Sequence, residues 1–379
     1  MTSGARRSRG IHPGSAAEPM NKGMLDTRLT ELLGCRYPIV QTAMGWVADP
    51  GLVAGSCNAG AFGFLAGATI PPDEIERDIL RVKALTDRPF GVNFHMYQPN
   101  AADIVDLVVR HGVRAVSYSR SPGPAFIGRL KDAGVICMPT VGLPKHALKA
   151  VELGADVVTV QGGEGGGHTG AIPTTVLLPQ VIDAIDGRVP VVAAGGFKDG
   201  RGLVAALAFG ADGIAMGTRF LMTAESPVPR STLQRYVDCA NPAEIIVSRA
   251  MDGLPQRMIM NELLGELERA GSFRKLLIAL RNGLAFRRHT GASLSGLLKS
   301  ALAMSREDDM TLAQAVMSGN APMIIQRAMV EGEPARGVLP SGQVAGTIDD
   351  LPSCRELVDG IVADAERRLR LLALRVTDN

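Results

Sequence analysis

The run Gln161-Gly-Gly-Glu-Gly-Gly-Gly-His168-Thr169-Gly170 gathers residue types that chemistry needs. Five glycines stand between Gln161 and His168, so few side chains keep a ligand off the backbone. Successive N–H groups in such a loop can cradle an anion or a planar ring. His168 is the base-capable ring of the loop, able to take a proton or hold a developing anion near neutral pH. A flexible loop with a solvated histidine would show the same residues, so the surroundings must decide.

Two further turns carry glycine where a phosphate could sit. They are Ala193-Ala-Gly195-Gly196-Phe-Lys-Asp-Gly-Arg201 and Ala215-Met-Gly217-Thr218-Arg219. Each follows an apolar run and opens a helical pattern, and backbone N–H groups at helix starts attract anions. The Thr218 hydroxyl adds a donor. Upstream, Gln41-Thr42-Ala43-Met44-Gly45 offers small residues and a methionine that can lie flat against a ring system. Asn93 and Gln161 can hydrogen-bond ring edges. Singly, each of these residues also suits a core or turn-capping role. Together they describe a pocket for a large planar cofactor with a phosphate at one end.

The elements that must position these residues follow a regular rhythm. Short apolar runs occur at Pro38–Gln41, Phe62–Leu65, Pro89–Phe94, Ala115–Tyr118, Val135–Pro139, Val157–Gln161, Val189–Ala194 and Gly213–Met216. Amphipathic segments such as Asp73–Ala84, Ala101–Arg110, Lys145–Leu153 and Gly202–Gly210 lie between them. Continuous apolar strands alternating with helices belong to a parallel sheet covered on both faces. A doubly wound sheet is the rival, but its GxGxxG fingerprint is missing after the first run. The glycine-rich turns follow runs six, seven and eight, where barrels place phosphate. The expected fold is a (β/α)8 barrel over residues 24–250, after a disordered tail at 1–23. A helical insertion follows strand eight at 251–330, and a C-terminal segment, 331–379, returns to the barrel with a helix over Leu351–Leu372.

Composition narrows the classes of function. Hydrophobic residues make up 46% of the 379 and charged residues 21%, enough for a sizeable core. The net charge of +2 is no signature of a nucleic-acid binder. No apolar run approaches the ~20 residues of a membrane span. The basic N-terminus lacks the apolar stretch of a secretory signal. Cys35, Cys57, Cys137, Cys239 and Cys354 are scattered without a CxxC, so neither a disulfide framework nor a zinc site is expected. A reduced, cytoplasmic setting is the default. The insertion is basic, with ten Lys and Arg against four Asp and Glu from Arg249 through Arg306. Arg257, Arg269, Arg274, Lys275, Arg281, Arg287, Arg288 and Lys299 belong to it. They form either a solvated lid face or a patch for a polyanionic substrate such as a CoA thioester. Its apolar Leu276–Leu280 run leaves room for a homodimer.

These motifs, read in order, resemble the nitronate monooxygenase family, formerly 2-nitropropane dioxygenases. The resemblance rests on Pro38–Gly45, Asn58-Ala-Gly-Ala-Phe-Gly63, Pro89-Phe-Gly-Val-Asn93, Gly163–His168, Ala194–Arg201, Gly210–Arg219, Ser341-Gly-Gln-Val-Ala-Gly346 and Asp349–Cys354. It implies an FMN-dependent (β/α)8 barrel and a flavoprotein oxidoreductase. Implied FMN contacts are Ala43, Met44, Gln161 and Gly166, with Gly195, Gly196, Gly217 and Thr218 toward the phosphate. Asn93, Thr140 and Gln343 complete the candidate cofactor set, and no metal is expected. His168 is the candidate catalytic residue, facing the substrate beside the flavin, with His95 or Tyr97 near it.

Two departures bear on the reaction. Thr140 stands where some members carry a lysine, and Val344 where a small polar residue is usual. Less positive charge would then lie near the cofactor, shifting the burden to backbone dipoles and Lys145. The expected activity is nitronate-type oxidation of an acidic C–H substrate, the flavin being reoxidised by oxygen. The alternative is a dehydrogenase or enoyl reductase acting on a CoA thioester, with NAD(P)H as a possible reductant. It follows from a similarity of the long insertion to an actinobacterial steroid-ring subgroup. A non-redox phosphate-binding barrel, isomerase or lyase, is the remote alternative, and a binding protein with a vestigial site the last.

Overall fold

In the computed structural model of the chain, residues 25–95, 98, 100–119, 124–270 and 312–377 are described. The expected tail at 1–23, Tyr97, the Leu276–Leu280 run and the basic residues from Arg274 to Arg306 lie outside them.

Eight parallel strands close a barrel: β1 (Ile39–Gln41), β2 (Phe62–Leu65), β3 (Gly91–Asn93), β4 (Ala115–Ser119), β5 (Ile136–Val141), β6 (Val158–Gln161), β8 (Val191–Ala194) and β9 (Gly213–Met216). Closure comes where β1 pairs with β9, Gln41 opposite Met216. Each expected apolar run supplies one strand. A barrel has no free edge and is covered outside by helices, so its strands need apolar residues on both faces.

Alternation along the strands sends Val40, Phe62, Phe64, Met138, Val192 and Ala215 into the barrel, where they form one buried cluster. Phe62 and Phe64 meet edge to face at 5.1 Å. Leu29 and Leu33 of α1 (Arg28–Leu33) join that cluster, so α1 plugs the end of the barrel away from the glycine-rich turns. Asp212 fastens it there. Its carboxylate accepts two bonds from the Arg28 guanidinium at 3.0 Å and one from the Val191 N–H at 3.0 Å.

The helices begin where local chemistry favours it. Asp49 caps α2 (Pro50–Asn58) through the Leu52 N–H, with proline at the first helical position. Asp199 caps α8 (Gly200–Ala208) through the N–H groups of Arg201 and Gly202. Directly after strand β9 comes a helix of just four residues, Thr218–Leu221. The long C-terminal helix Cys354–Thr377 packs instead against α8 and α2 and completes the wall.

The inserted segment differs from the helical reading of the sequence at its start. Gln256–Ile259 is a strand, β11, paired with β10 (Ile245–Ser248) and β12 (Leu339–Pro340). This small antiparallel sheet draws its strands from both sides of the insertion, so residues 256–259 are anchored beside the barrel. The helices α11 (Glu262–Arg269) and Leu312–Met329 follow. All five cysteines are free and buried. Burial pushes the thiols of Cys35, Cys57, Cys137 and Cys354 up to about 12, so they stay protonated and act as packing groups. No described helix is long and apolar enough to cross a membrane.

Candidate active site

The mouth at the C-terminal ends of the strands brings the three glycine-rich turns together. His168 belongs to β7 (Gly167–His168), a two-residue strand that leaves the barrel and pairs antiparallel with β11. His168 stands opposite Gln256, and Gly167 opposite Arg257. The Gln161 side chain at the end of β6 donates from Nε2 to the His168 carbonyl at 2.9 Å. Its expected duty toward a ligand is thus shared with fixing the loop.

Arg257 tightens the loop from the other side. Its Nε and Nη2 donate to the Gly163 carbonyl at 3.0 and 2.8 Å, and Nη1 donates to Ile245 at 3.2 Å. Burial lowers its pKa against the opposing pull of Glu164. Arg257 therefore leaves the basic lid patch to which the sequence assigned it, because three carbonyl bonds turn it inward. Arg269, by contrast, stays exposed and bonds the Gly265 carbonyl of its own helix at 2.8 Å. Glu164 takes the N–H and hydroxyl of Thr174, at 3.0 and 2.7 Å, and so caps α7 (Thr174–Ile185).

Asp252 is the residue the sequence reading missed. The His168 Nε2 lies 2.9 Å from Asp252 Oδ2. The same oxygen accepts from Gln256 Nε2 at 2.6 Å, and Oδ1 accepts from the Leu254 N–H at 3.0 Å. Burial pushes the Asp252 carboxyl up, but the His168 bond, the Leu254 N–H, the His168 charge and Gln256 outweigh it, and the group sits below its usual range. The His168 side chain is 60% exposed and that of Asp252 only 10%. The two residues are 84 apart in sequence, and no spacing motif joins them. His95, on the rim after β3, has its pKa lowered by desolvation and by the charge of His168.

The expected cofactor residues line the same mouth. Alternation places Thr42, Asn93, Ser117, Thr140 and Gln161 at the inward ends of their strands, a neutral polar layer. Asn93 Nδ2 donates to the carbonyl and hydroxyl of Ser117 at 3.0 and 3.1 Å. Thr140 is half-buried and sits beside Thr159 in register, so β5 brings no lysine into this layer. Ala43 packs on the barrel interior, and Met44 on the outer core. A Cβ on Gly217 would lie 3.3 Å from Met44 Sδ and 3.0 Å from Thr42 Oγ1. Gly195 and Gly196 both adopt left-handed backbone, φ 101° and 83°, which side chains rarely tolerate. Bare backbone is left around the ends of β8 and β9, a cradle that any Cβ would fill.

The closing segment seals this cradle. The Gly342 N–H donates to Thr218 Oγ1 at 2.8 Å, which leaves the Thr218 proton for another acceptor. The Gln343 N–H donates to the Glu164 carbonyl at 2.9 Å. Gly166 lies so close that an added Cβ would stand 2.5 Å from Gly342 N and 2.6 Å from the Ser341 carbonyl carbon. Backbone faces backbone there, and neither side can swing away. Gly166→Val is expected to displace the closing segment, costing about 1–3 kcal/mol of stability. Misplacement of the loop should lower turnover by about 10²-fold. Thermal denaturation and kcat measure both, and a variant with the parent's values would mean that the contact yields easily.

Trp46, just past the first turn, holds φ at 62°, a conformation costing a bulky residue on the order of 1–3 kcal/mol. Bonds from the N–H groups of Val47 and Ala48 to the Met44 carbonyl hold it there. Strain of this kind gathers at ligand clamps.

A closed barrel with an oriented histidine and a bare glycine cradle at its catalytic end defines an enzyme site. The nitronate monooxygenase family model matches residues 26–109 and 104–364. The chain is 51% identical over 352 residues to the (3aS,4S,5R,7aS)-5-hydroxy-7a-methyl-1-oxo-octahydro-1H-indene-4-carboxyl-CoA dehydrogenase of Rhodococcus jostii, covering 93% of this chain and 99% of that protein. A probable nitronate monooxygenase of Staphylococcus saprophyticus is 33% identical over 291 residues, 64% of this chain and 81% of the relative. The solved FabK of Thermotoga maritima superposes with a TM-score of 0.74 at 29% identity, over 92% of this chain and 98% of that one. The protein is an oxidoreductase with a (β/α)8 barrel. It belongs to the nitronate monooxygenase family.

Proposed function

We propose that this protein is an FMN-dependent dehydrogenase of a bicyclic CoA thioester, of the hydroxy-oxo-indane-carboxyl type named for its Rhodococcus relative. The observation that carries the reading is the extent of that likeness. At 51% identity it spans 352 residues of a 379-residue chain, too many to leave the inserted segment unmatched. The nitronate monooxygenase relative covers 64% of this chain at 33%.

The residues at the mouth suit a flavin mononucleotide. The Gly195, Gly196 and Gly217 backbone and the Thr218 hydroxyl would hold its phosphate. The side-chain carbonyls of Asn93 and Gln161 would take hydrogen-bond donors at the ring edge, their amide nitrogens being occupied within the protein. Ala43, Met44, Thr140, Gly166 and Gln343 surround the same space. When bound, the flavin supplies the two-electron acceptor that no side chain here can provide.

The chain's own residues do the rest. A hydrogen on the carbon next to a thioester carbonyl is acidic. His168 removes it as a proton while a hydride leaves the adjacent carbon, and a double bond remains in the product. The neutral layer of Asn93, Ser117 and Thr140 puts no fixed cation beneath the reacting atoms.

The test is anaerobic mixing of the purified flavin-loaded protein with such a thioester and, separately, with an alkyl nitronate. Loss of the visible flavin absorbance with the thioester supports the proposal. Loss with the nitronate alone would shift the assignment to nitronate oxidation. A protein that takes up no flavin on reconstitution would end the flavin reading and favour a non-redox barrel.

A further inference from the structure

We infer that Asp252, carried by the inserted segment, is the positioning residue that fixes the ring orientation and tautomer of His168. The inference rests on the reading of His168 as the base.

The geometry gives Asp252 an electrostatic role toward His168. Its two oxygens receive Gln256 Nε2, the Leu254 N–H and His168 Nε2 at 2.6, 3.0 and 2.9 Å. An ionised carboxylate can only accept. The shared ring nitrogen must therefore carry the proton, and Nδ1 keeps the lone pair that takes up substrate hydrogen. The carboxylate is itself held rigidly. Gln256 belongs to β11, where it stands opposite His168 in the ladder. The Thr169 N–H bonds the Pro255 carbonyl at 3.1 Å. Backbone pairing thus holds β11 beside the histidine, and the Gln256 and Leu254 bonds hold the Asp252 carboxylate against its ring. The mostly exposed imidazole would otherwise sample several rotamers.

Among the described residues, the charged or titratable groups near this pair come from several elements. Asp252 itself precedes β11, Arg257 lies on β11, Glu164 on the glycine loop and His95 on the rim after β3. Arg257 and Glu164 are already committed, to the Gly163 carbonyl and to Thr174 respectively. Asp252 is the carboxylate bonded to the His168 ring among the described residues.

The experiment compares Asp252→Asn and Asp252→Glu with the flavin-loaded parent. An asparagine amide at this place donates to Nε2 and drives the ring proton onto Nδ1, the wrong nitrogen. Asp252→Asn is expected to lower the rate of flavin reduction by about 10²- to 10⁴-fold, the range for a general base in the wrong tautomer. KM should change much less. Asp252→Glu should restore part of the rate, because a carboxylate is present again.

The deciding readout is the ¹⁵N spectrum of histidine-labelled protein, with the His168 signals assigned by their loss in His168→Ala. The parent should show the proton on Nε2 and Asp252→Asn a shift toward Nδ1. Retained flavin absorbance and near-UV circular dichroism exclude a folding defect. An unchanged tautomer in Asp252→Asn, or a rate within a few fold of the parent, overturns the inference and leaves the proposed function standing. Full activity in His168→Ala would instead overturn the base on which that function rests.

Discussion

His168→Ala is expected to slow reduction of the bound flavin by substrate by about 10²- to 10⁴-fold, the usual contribution of a positioned base. Flavin content should stay at the parent level. The expectation follows from the separation of tasks around the mouth. The glycine cradle at Gly195, Gly196 and Gly217 is backbone and does not involve the imidazole. The loop geometry survives as well, because the His168 main chain, not its ring, accepts from Gln161 and pairs with β11. Stability should therefore change little. Stopped-flow absorbance under anaerobic conditions gives the rate, and the visible spectrum gives the cofactor content. A variant that reduces its flavin as fast as the parent would show that the proton leaves by another route, with His95 the next candidate on the rim.

The second large effect concerns the barrel floor. Phe64→Ala is expected to cost about 3–5 kcal/mol, the range for truncating a buried aromatic. Phe64 is 1% exposed, packs edge to face on Phe62 at 5.1 Å, and fills the space that a side chain at Gly91 would need. A Cβ on Gly91 would lie 2.3 Å from the Phe64 ring. Strand β3 can thus collapse only slightly into the void. Since β3 ends in Asn93, the loss should also reach the neutral layer, and flavin retention should fall with thermal stability. Chemical denaturation of the flavin-loaded protein measures the first and its visible spectrum the second. A loss below about 1 kcal/mol would mean that neighbouring strands relax into the space.

Much of the fold was legible in the residues. Eight apolar runs became eight barrel strands because a strand covered on both sides shows its identity locally, as an unbroken apolar stretch. Predicted helices such as Ala101–Arg110 matched for a similar reason, since an amphipathic face repeats at 3.6 residues. The three glycine-rich turns meet at one mouth because parallel strands all point their C-terminal ends the same way.

Other features had no local signature. Strand β11 falls within a segment of helical sequence pattern: Gln256-Arg-Met-Ile259 is four residues long, and its partners come from residues 167–168, 245–248 and 339–340. Arg257 looks like any surface arginine in sequence, and only the converging carbonyls of Gly163 and Ile245 turn it inward. The glycines of the His168 loop suggested room for a ligand, yet Gly166 is held by the backbone of Ser341 and Gly342.

The sequence by itself determined the barrel, the mouth and the histidine placed there, because periodicity and glycine placement act over a few residues at a time. Only the tertiary structure decided which carboxylate stands behind that histidine. Asp252 and His168 lie 84 positions apart, and their 2.9 Å contact exists because β7 and β11 pair through backbone hydrogen bonds that any residues could make.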